Sequence, residues 1–270
     1  IRLMALNSTL CAVVLPIDIV WADREANLAL VEKAMAKMPA GVDLVVLPEL
    51  FSTGFINDAR LLTDLPETNT GHTIRELPRL AALHNCAIVG SFLACTARNV
   101  YNRAFFIEPS GDETFYDKRH LFSLSSESKT YTPGRNAVPV VRFRGWNIAM
   151  IVCYDLRFPV WCRNKANAYD ALIVPANWAS AREYAWRHLL IARAIENQAY
   201  VIGANRSRDD YGEYDNMSYI FDPMGHPVSE PLAGCDNAVI ASMTKTAVDE
   251  WRRRFPASAD ADSFDLPLEF

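Results

Sequence analysis

Trp146-Asn147-Ile148-Ala149-Met150-Ile151-Val152-Cys153-Tyr154-Asp155-Leu156-Arg157-Phe158-Pro159 is the stretch that sets the fold class. A mostly apolar run leads up to a cysteine, and polar and charged residues follow at once. The run predicts a buried strand. The change of texture at Cys153 predicts the strand end, and Pro159 predicts the opening of the next helix. Open α/β sheets place their chemistry at the carboxyl ends of strands, which is where this chain sets a thiol. A cysteine there also serves as a small buried hydrophobe, so other groups must decide its meaning.

Working outward, the same alternation recurs on both sides. Residues 138–143 pair with 146–152 around Arg144-Gly145, and 159–168 read as a short helix. Residues 170–175 form an apolar strand, 182–198 a helix, and 200–204 another strand. Trp186, Leu189, Leu190 and Ile195 are expected on the buried face of that helix. Later strands fall at 217–221 and 238–243, and a helix at 246–254 closes the pattern. Upstream, strands at 3–6, 42–47 and 87–92 enclose helices at 24–38 and 70–85. Asp23 caps the first helix and Pro39 stops it. Pro78 lies inside the second and removes one hydrogen bond from it. Residues 101–108 and 113–116 form a hairpin around Pro109-Ser110-Gly111-Asp112. The polar segment 123–135, with Pro133-Gly134, is long enough for a loop to suggest a role.

Asp43-Leu44-Val45-Val46-Leu47-Pro48-Glu49 echoes Asp170-Ala171-Leu172-Ile173-Val174-Pro175-Ala176. The echo predicts two similar α/β halves facing each other across a pair of sheets.

The 270 residues are 50% hydrophobic and 22% charged, which suits one globular domain over 1–255 with a tail at 256–270. A net charge of -5 offers no basic field for nucleic acid or an anionic membrane. Arg252-Arg253-Arg254 sits where a helix end favours positive charge. The six cysteines lack disulfide-framework or zinc spacing, and the five histidines are scattered. Free thiols in a reducing, cytoplasmic compartment are expected, with no metal and no cofactor. No apolar run reaches the length of a membrane span.

Three groups then stand out as chemistry. Glu49 ends one strand, Cys153 ends another, and Lys118 follows the hairpin. A thiol attacking a carbonyl or nitrile carbon needs a proton acceptor, and Glu49 is a candidate. The negative oxygen that forms needs donors, and Lys118 with the Tyr154 N–H can supply them. Taken singly, Glu49 reads equally well as a salt-bridged strand end and Lys118 as a surface lysine.

Taken together, these residues sit in segments that resemble the nitrilase, or carbon–nitrogen hydrolase, superfamily. Leu47-Pro48-Glu49 with Phe51-Ser52-Thr53-Gly54-Phe55 comes first, then Tyr116-Asp117-Lys118-Arg119-His120-Leu121-Phe122, then Cys153 through Pro159. Tyr101-Asn102-Arg103, Thr132-Pro133-Gly134, Ala176-Asn177-Trp178 and residues 192–197 fit as supporting segments. The resemblance runs over about residues 1–255 and is closest to the ω-amidase branch.

That resemblance implies a four-layer α-β-β-α sandwich, α/β in class, with two mixed sheets and internal pseudo-symmetry. It implies a Glu49–Lys118–Cys153 triad, with Glu127 as a second glutamate that orients Lys118 or the substrate amide. It implies a thioester cycle on small dicarboxylate monoamides such as 2-oxoglutaramate and succinamate, using water and no cofactor. Pairing into a homodimer through the 182–198 helix and the helix after Cys153 is also implied. Arg157 is a candidate partner for the substrate carboxylate, or a brace for the turn. Phe122, Tyr131, Asn177 and Trp178 are candidates for the pocket wall. Other substrates within the superfamily, namely N-carbamoyl amino acids, aliphatic amides and nitriles, stay open, as do acyl transfer to amines and a non-catalytic binding role.

Overall fold

A computed structural model describes residues 9–207 and 214–266. The strand expected at 3–6 lies outside them. The chain runs β1 (Thr9–Val14), α1 (Arg24–Met35), β2 (Leu44–Val46), α2 (Leu61–Asp64), α3 (His72–His84), β3 (Ala87–Cys95), β4 (Val100–Ile107) and β5 (Glu113–Asp117). It continues through α4 (Glu127–Thr130), β6 (Val140–Phe143), β7 (Trp146–Met150), β8 (Ala171–Ala176), α5 (Glu183–Asn197) and β9 (Tyr200–Asn205). The last elements are β10 (Tyr219–Phe221), β11 (Glu230–Pro231), β12 (Val239–Thr244) and α6 (Lys245–Arg254).

The strands form two mixed sheets. One has seven strands in the order β11-β12-β1-β2-β3-β4-β5, and the other has five in the order β10-β9-β8-β7-β6. Each is built around three parallel strands, β1-β2-β3 in the first and β7-β8-β9 in the second. Side-chain alternation decides how the layers stack. Ala12, Val14, Leu44, Val46 and Val89 turn inward to the face shared with the second sheet. Val13, Val45, Ile88 and Phe105 turn outward to Leu28, Val31 and Met35 of α1 and Leu77 and Leu80 of α3. On the far side, Trp186, Leu190 and Ala194 of α5 cover the second sheet. The result is the α-β-β-α sandwich. Strands covered on both faces must be apolar throughout, hence the unbroken Leu-Val-Val and Ala-Leu-Ile-Val runs.

The echoed segments are structural equivalents. Asp43 N–H donates to the Cys11 carbonyl, and its carboxylate accepts from Cys11 N–H at 2.8 Å. Asp170 does the same with Asn147, whose N–H lies 3.0 Å from its carboxylate. The carbonyls of Asp43 and Asp170 accept from Ala87 and Tyr200, which open β3 and β9. Each of those strands follows a helix closed by a left-handed residue, Asn85 at φ 50° and Gln198 at φ 48°.

Asp23 accepts from Ala26 N–H and caps α1 as expected. Pro78 is accommodated within an unbroken α3, and the polar 123–135 segment holds the single turn α4. Two expectations fail. No helix spans 159–168; the chain makes a 3-10 turn at Cys153–Arg157 and another at Lys165–Asn167. Asn164 explains part of this, because its side chain bonds both Tyr169 N–H and the Tyr169 carbonyl, giving the backbone an alternative to a helix. Ile195 is 52% exposed rather than buried. Arg193 and Asn197 take inward positions instead, where they bond the Leu156 carbonyl and Asn164 N–H.

The described part of the tail lies along its own chain. Asn167 donates to Ser258 at 2.8 Å, Lys165 bonds the Phe264 carbonyl, and Leu266 packs against the core. Among the described residues, no helix is long and apolar enough to cross a membrane.

Candidate active site

Glu49 leaves β2 on a tight turn. Leu50, next to it, is left-handed at φ 49°, and Ser91 of β3 braces the turn by accepting from Leu50 N–H at 2.8 Å. Asn177, just past β8, grips Glu49 from the opposite sheet. Its N–H donates to Glu49 Oε2 at 2.8 Å, and its side-chain amide donates to the Glu49 carbonyl at 3.0 Å.

Lys118 follows β5 on the same sheet as Glu49. Its backbone is held by the Asn102 carbonyl and by Gly134 N–H. Only glycine fits at 134, because a Cβ there would lie 2.0 Å from the Asp117 carbonyl oxygen. Arg103 locks the neighbouring Asp117 through two bonds of 2.6 and 2.9 Å.

The ammonium of Lys118 sits between two carboxylates. Nζ lies 2.8 Å from Glu49 Oε1, and 2.8 and 3.0 Å from the two oxygens of Glu127. Asn102 donates to Glu49 at 2.7 Å, and Phe122 N–H donates to Glu127 at 2.7 Å. All three charged residues are at most 4% exposed. Burial opposes the charge on Lys118, but Glu49 and Glu127 outweigh it and hold its pKa well above the ordinary lysine value. The ammonium is therefore permanent at neutral pH.

Cys153 reaches the same place from the other sheet. It follows β7 with φ 42°, a left-handed conformation that costs a non-glycine residue about 1–3 kcal/mol. Asp155 holds that turn from behind. Its buried carboxylate accepts from Val152 N–H at 3.2 Å, Tyr116 OH at 2.8 Å, and His120 N–H at 2.8 Å. Burial pushes the Cys153 thiol well up, Glu49 adds to this through its charge and a hydrogen bond, and Lys118 pulls the other way. The resting sulfur is a protonated thiol. Tyr154 is the second residue of the 3-10 turn, ahead of its first internal bond from Asp155 N–H to the Val152 carbonyl, so its N–H is among those that the turn cannot satisfy internally.

These groups floor a cavity of about 170 Å³. Phe122, Tyr154, Arg157, Asn177 and Trp178 line it, with Phe55, Ser125 and Arg182. Arg157 lies over the Trp178 ring, 4.8 Å from its centroid, and makes no ion pair among the described residues. It does not brace the turn by a salt bridge within that set. Tyr131 corrects the expected wall: it stands behind the lining, buried, with its hydroxyl on the Ile56 carbonyl and N–H. Asn102, Asp155 and Ser91 form the supporting shell, to which sequence reasoning gave no roles. Asn102 carried one usable signal, an amide facing inward from a largely apolar strand. Among the described residues, no group of three or more His, Cys, Asp or Glu side chains could hold a metal ion.

A double-sheet sandwich with a buried thiol, carboxylate and ammonium in one cavity defines a class of cysteine hydrolases. The carbon–nitrogen hydrolase family model matches residues 9–253. The chain belongs to that family and is an enzyme of the amidase type. It is 40% identical over 250 residues to the omega-amidase YafV of Escherichia coli K12, covering 92% of this chain and 95% of that protein. It is 31% identical over 220 residues to the 2-oxoglutaramate amidase of Bacillus subtilis, covering 80% and 84%. Among solved structures, a CN-hydrolase superfamily protein of Xanthomonas campestris superposes with a TM-score of 0.87 at 36% identity, covering 96% and 99%. Saccharomyces cerevisiae Nit3 shares the fold, with a TM-score of 0.80 at 24% identity over 93% and 96%.

Proposed function

We propose that this chain is an ω-amidase that releases ammonia from small dicarboxylate monoamides such as 2-oxoglutaramate and succinamate. The observation that carries the reading is Lys118 held between Glu49 and Glu127 beside the Cys153 thiol. The 40% identity to an omega-amidase supports the substrate class.

Cys153 Sγ attacks the terminal amide carbon as Glu49 takes the thiol proton. The negative oxygen is met by Lys118 Nζ and the Tyr154 N–H. An ammonium group has three donors. On Lys118, one goes to Glu49 and one is shared by the two Glu127 oxygens, leaving a third for the oxyanion. Glu127 thus orients Lys118. Glu49 then protonates the amide nitrogen, the C–N bond breaks, and ammonia leaves a thioester on Cys153. Water loses a proton to Glu49 and attacks the thioester. The C–S bond breaks, the proton returns to sulfur, and the carboxylic acid leaves.

At the far end, Arg157 takes the substrate carboxylate, and the aromatic wall packs its short carbon chain. Residues 1–255 act as one catalytic domain, and the enzyme works in the cytoplasm, where its six free thiols suit a reducing environment. It pairs as a homodimer through α5. Tyr184 and Ile195, 74% and 52% exposed, share one face of that helix beside exposed Met224.

Ammonia release from 2-oxoglutaramate and succinamate, compared with N-carbamoyl amino acids and nitriles, tests the substrate. Intact-mass trapping tests the chemistry. An acyl adduct is expected on the native chain and none on Cys153→Ala. Faster turnover of carbamoyl amino acids or nitriles would overturn the reading.

A further inference from the structure

Among the described residues, the floor of the cavity offers no net positive charge. Lys118 is its only cation among the described residues, and two carboxylates already surround it. A substrate that brings a carboxylate of its own therefore needs positive charge elsewhere in the lining. Among the described residues of the lining, Arg157 and Arg182 carry it.

The two arginines are tied to one aromatic wall. Arg157 lies over Trp178 at 4.8 Å, and Arg182 lies over Phe122 at 5.3 Å. The Trp178 indole N–H donates to the Arg182 carbonyl at 2.9 Å, so the ring under one guanidinium also holds the backbone of the other residue. Phe122 in turn carries Glu127 on its backbone N–H, which links this wall to the lysine. Both arginines line the cavity, and a planar guanidinium can meet a carboxylate through two parallel hydrogen bonds.

We propose that Arg182 is a specificity-determining residue, which binds the carboxylate end of the substrate together with Arg157. The two guanidinium groups make a clamp that separates ω-amides bearing an acid from neutral amides of the same length. Arg182 contacts the distal end of the substrate, away from the bond that breaks. Its loss therefore falls on KM for acidic substrates and much less on kcat. The proposal rests on the ω-amidase reading above.

The test compares succinamate with levulinamide, a neutral amide in which a methyl ketone replaces the carboxylate. The readout is the ratio of kcat/KM for the two, in the native enzyme and in Arg182→Gln and Arg182→Lys. Arg182→Gln is expected to lower that ratio roughly 10- to 100-fold, chiefly through KM for succinamate. Arg182→Lys, which keeps the charge but loses the planar fork, is expected to recover part of the loss. Alkylation of Cys153 by iodoacetamide at the wild-type rate in each variant would verify that the site is intact. An unchanged ratio, or an equal fall for both amides, overturns the role of Arg182 while leaving the ω-amidase reading in place. A wild-type enzyme that prefers levulinamide overturns that reading, and the clamp with it.

Discussion

The two halves of the sandwich repeat one scaffold and differ where it matters chemically. Asp43 and Asp170 make the same three backbone connections, and a proline follows each apolar run, Pro48 in one half and Pro175 in the other. The next residue is Glu49 in one half and Ala176 in the other. These equivalent positions meet across the sheets, with Glu49 N–H donating to the Ala176 carbonyl at 3.4 Å. The seven-stranded sheet contributes the carboxylate and the lysine, and the five-stranded sheet contributes the thiol. The candidate pocket lies where the two copies stop matching.

The sharpest way to break this comparison is to discharge the seven-stranded side. Lys118→Met leaves Glu49 and Glu127 buried without their cation and is expected to cost about 3–5 kcal/mol in urea unfolding. A triple variant, Lys118→Met with Glu49→Gln and Glu127→Gln, should recover most of that loss, because no buried charge is left unpaired. A single variant as stable as the native chain would mean that the carboxylates find other partners.

The aspartate locks provide a gentler test. Asp170 is buried and paired with both Arg252 at 3.0 Å and Lys245 at 3.1 Å, whereas Asp43 is partly buried and paired with Arg144. Replacing Asp170 by alanine is expected to cost about 2–3 kcal/mol, and replacing Asp43 about 1 kcal/mol. Equal losses in denaturant melts would show that the backbone bonds outweigh the ion pairs.

The smallest effect separates the halves by pH. Burial pushes Cys86, in the seven-stranded half, from 9.0 to about 11, and Cys162, in the other half, from 9.0 to about 12. Above the lower value, the unfolded chain releases protons that the folded chain keeps. Stability therefore falls as pH rises from 9.0 through the folded values. Melting temperatures from about pH 8 to about pH 11 should fall less steeply in Cys162→Ala and Cys86→Ala than in the native chain. Cys162→Ala should flatten the curve more at its upper end. Parallel curves would show that other groups set the alkaline limit.

Which of these features could be read from residues alone follows from their range. The leading strands were readable because runs such as Ala171–Ala176 are apolar throughout, and Glu49 and Cys153 stood out where those runs stop. The helix expected at 159–168 failed because a distant partner, Asn197, and local side-chain bonds from Asn164 won over propensity. Ile195 was misplaced because Arg193 and Asn197 are buried by partners that hydrophobic periodicity does not register. Tyr131 was misplaced because an aromatic residue in a polar loop can face either the cavity or the Ile56 backbone, and nothing nearby in the chain chooses.

Sequence by itself pointed to most of the strands and helices, the repeat, and three candidate reactive groups at the ends of apolar runs and after a hairpin, since each of these signals depends on neighbours a few residues away. Tertiary structure alone decided that they meet. Lys118 and Glu49 are 69 residues apart, yet their charged atoms lie 2.8 Å from each other, and Cys153 arrives from a different sheet. Local pattern sets which face a side chain takes along its own strand. Only the packing of one sheet on the other sets what that side chain then confronts.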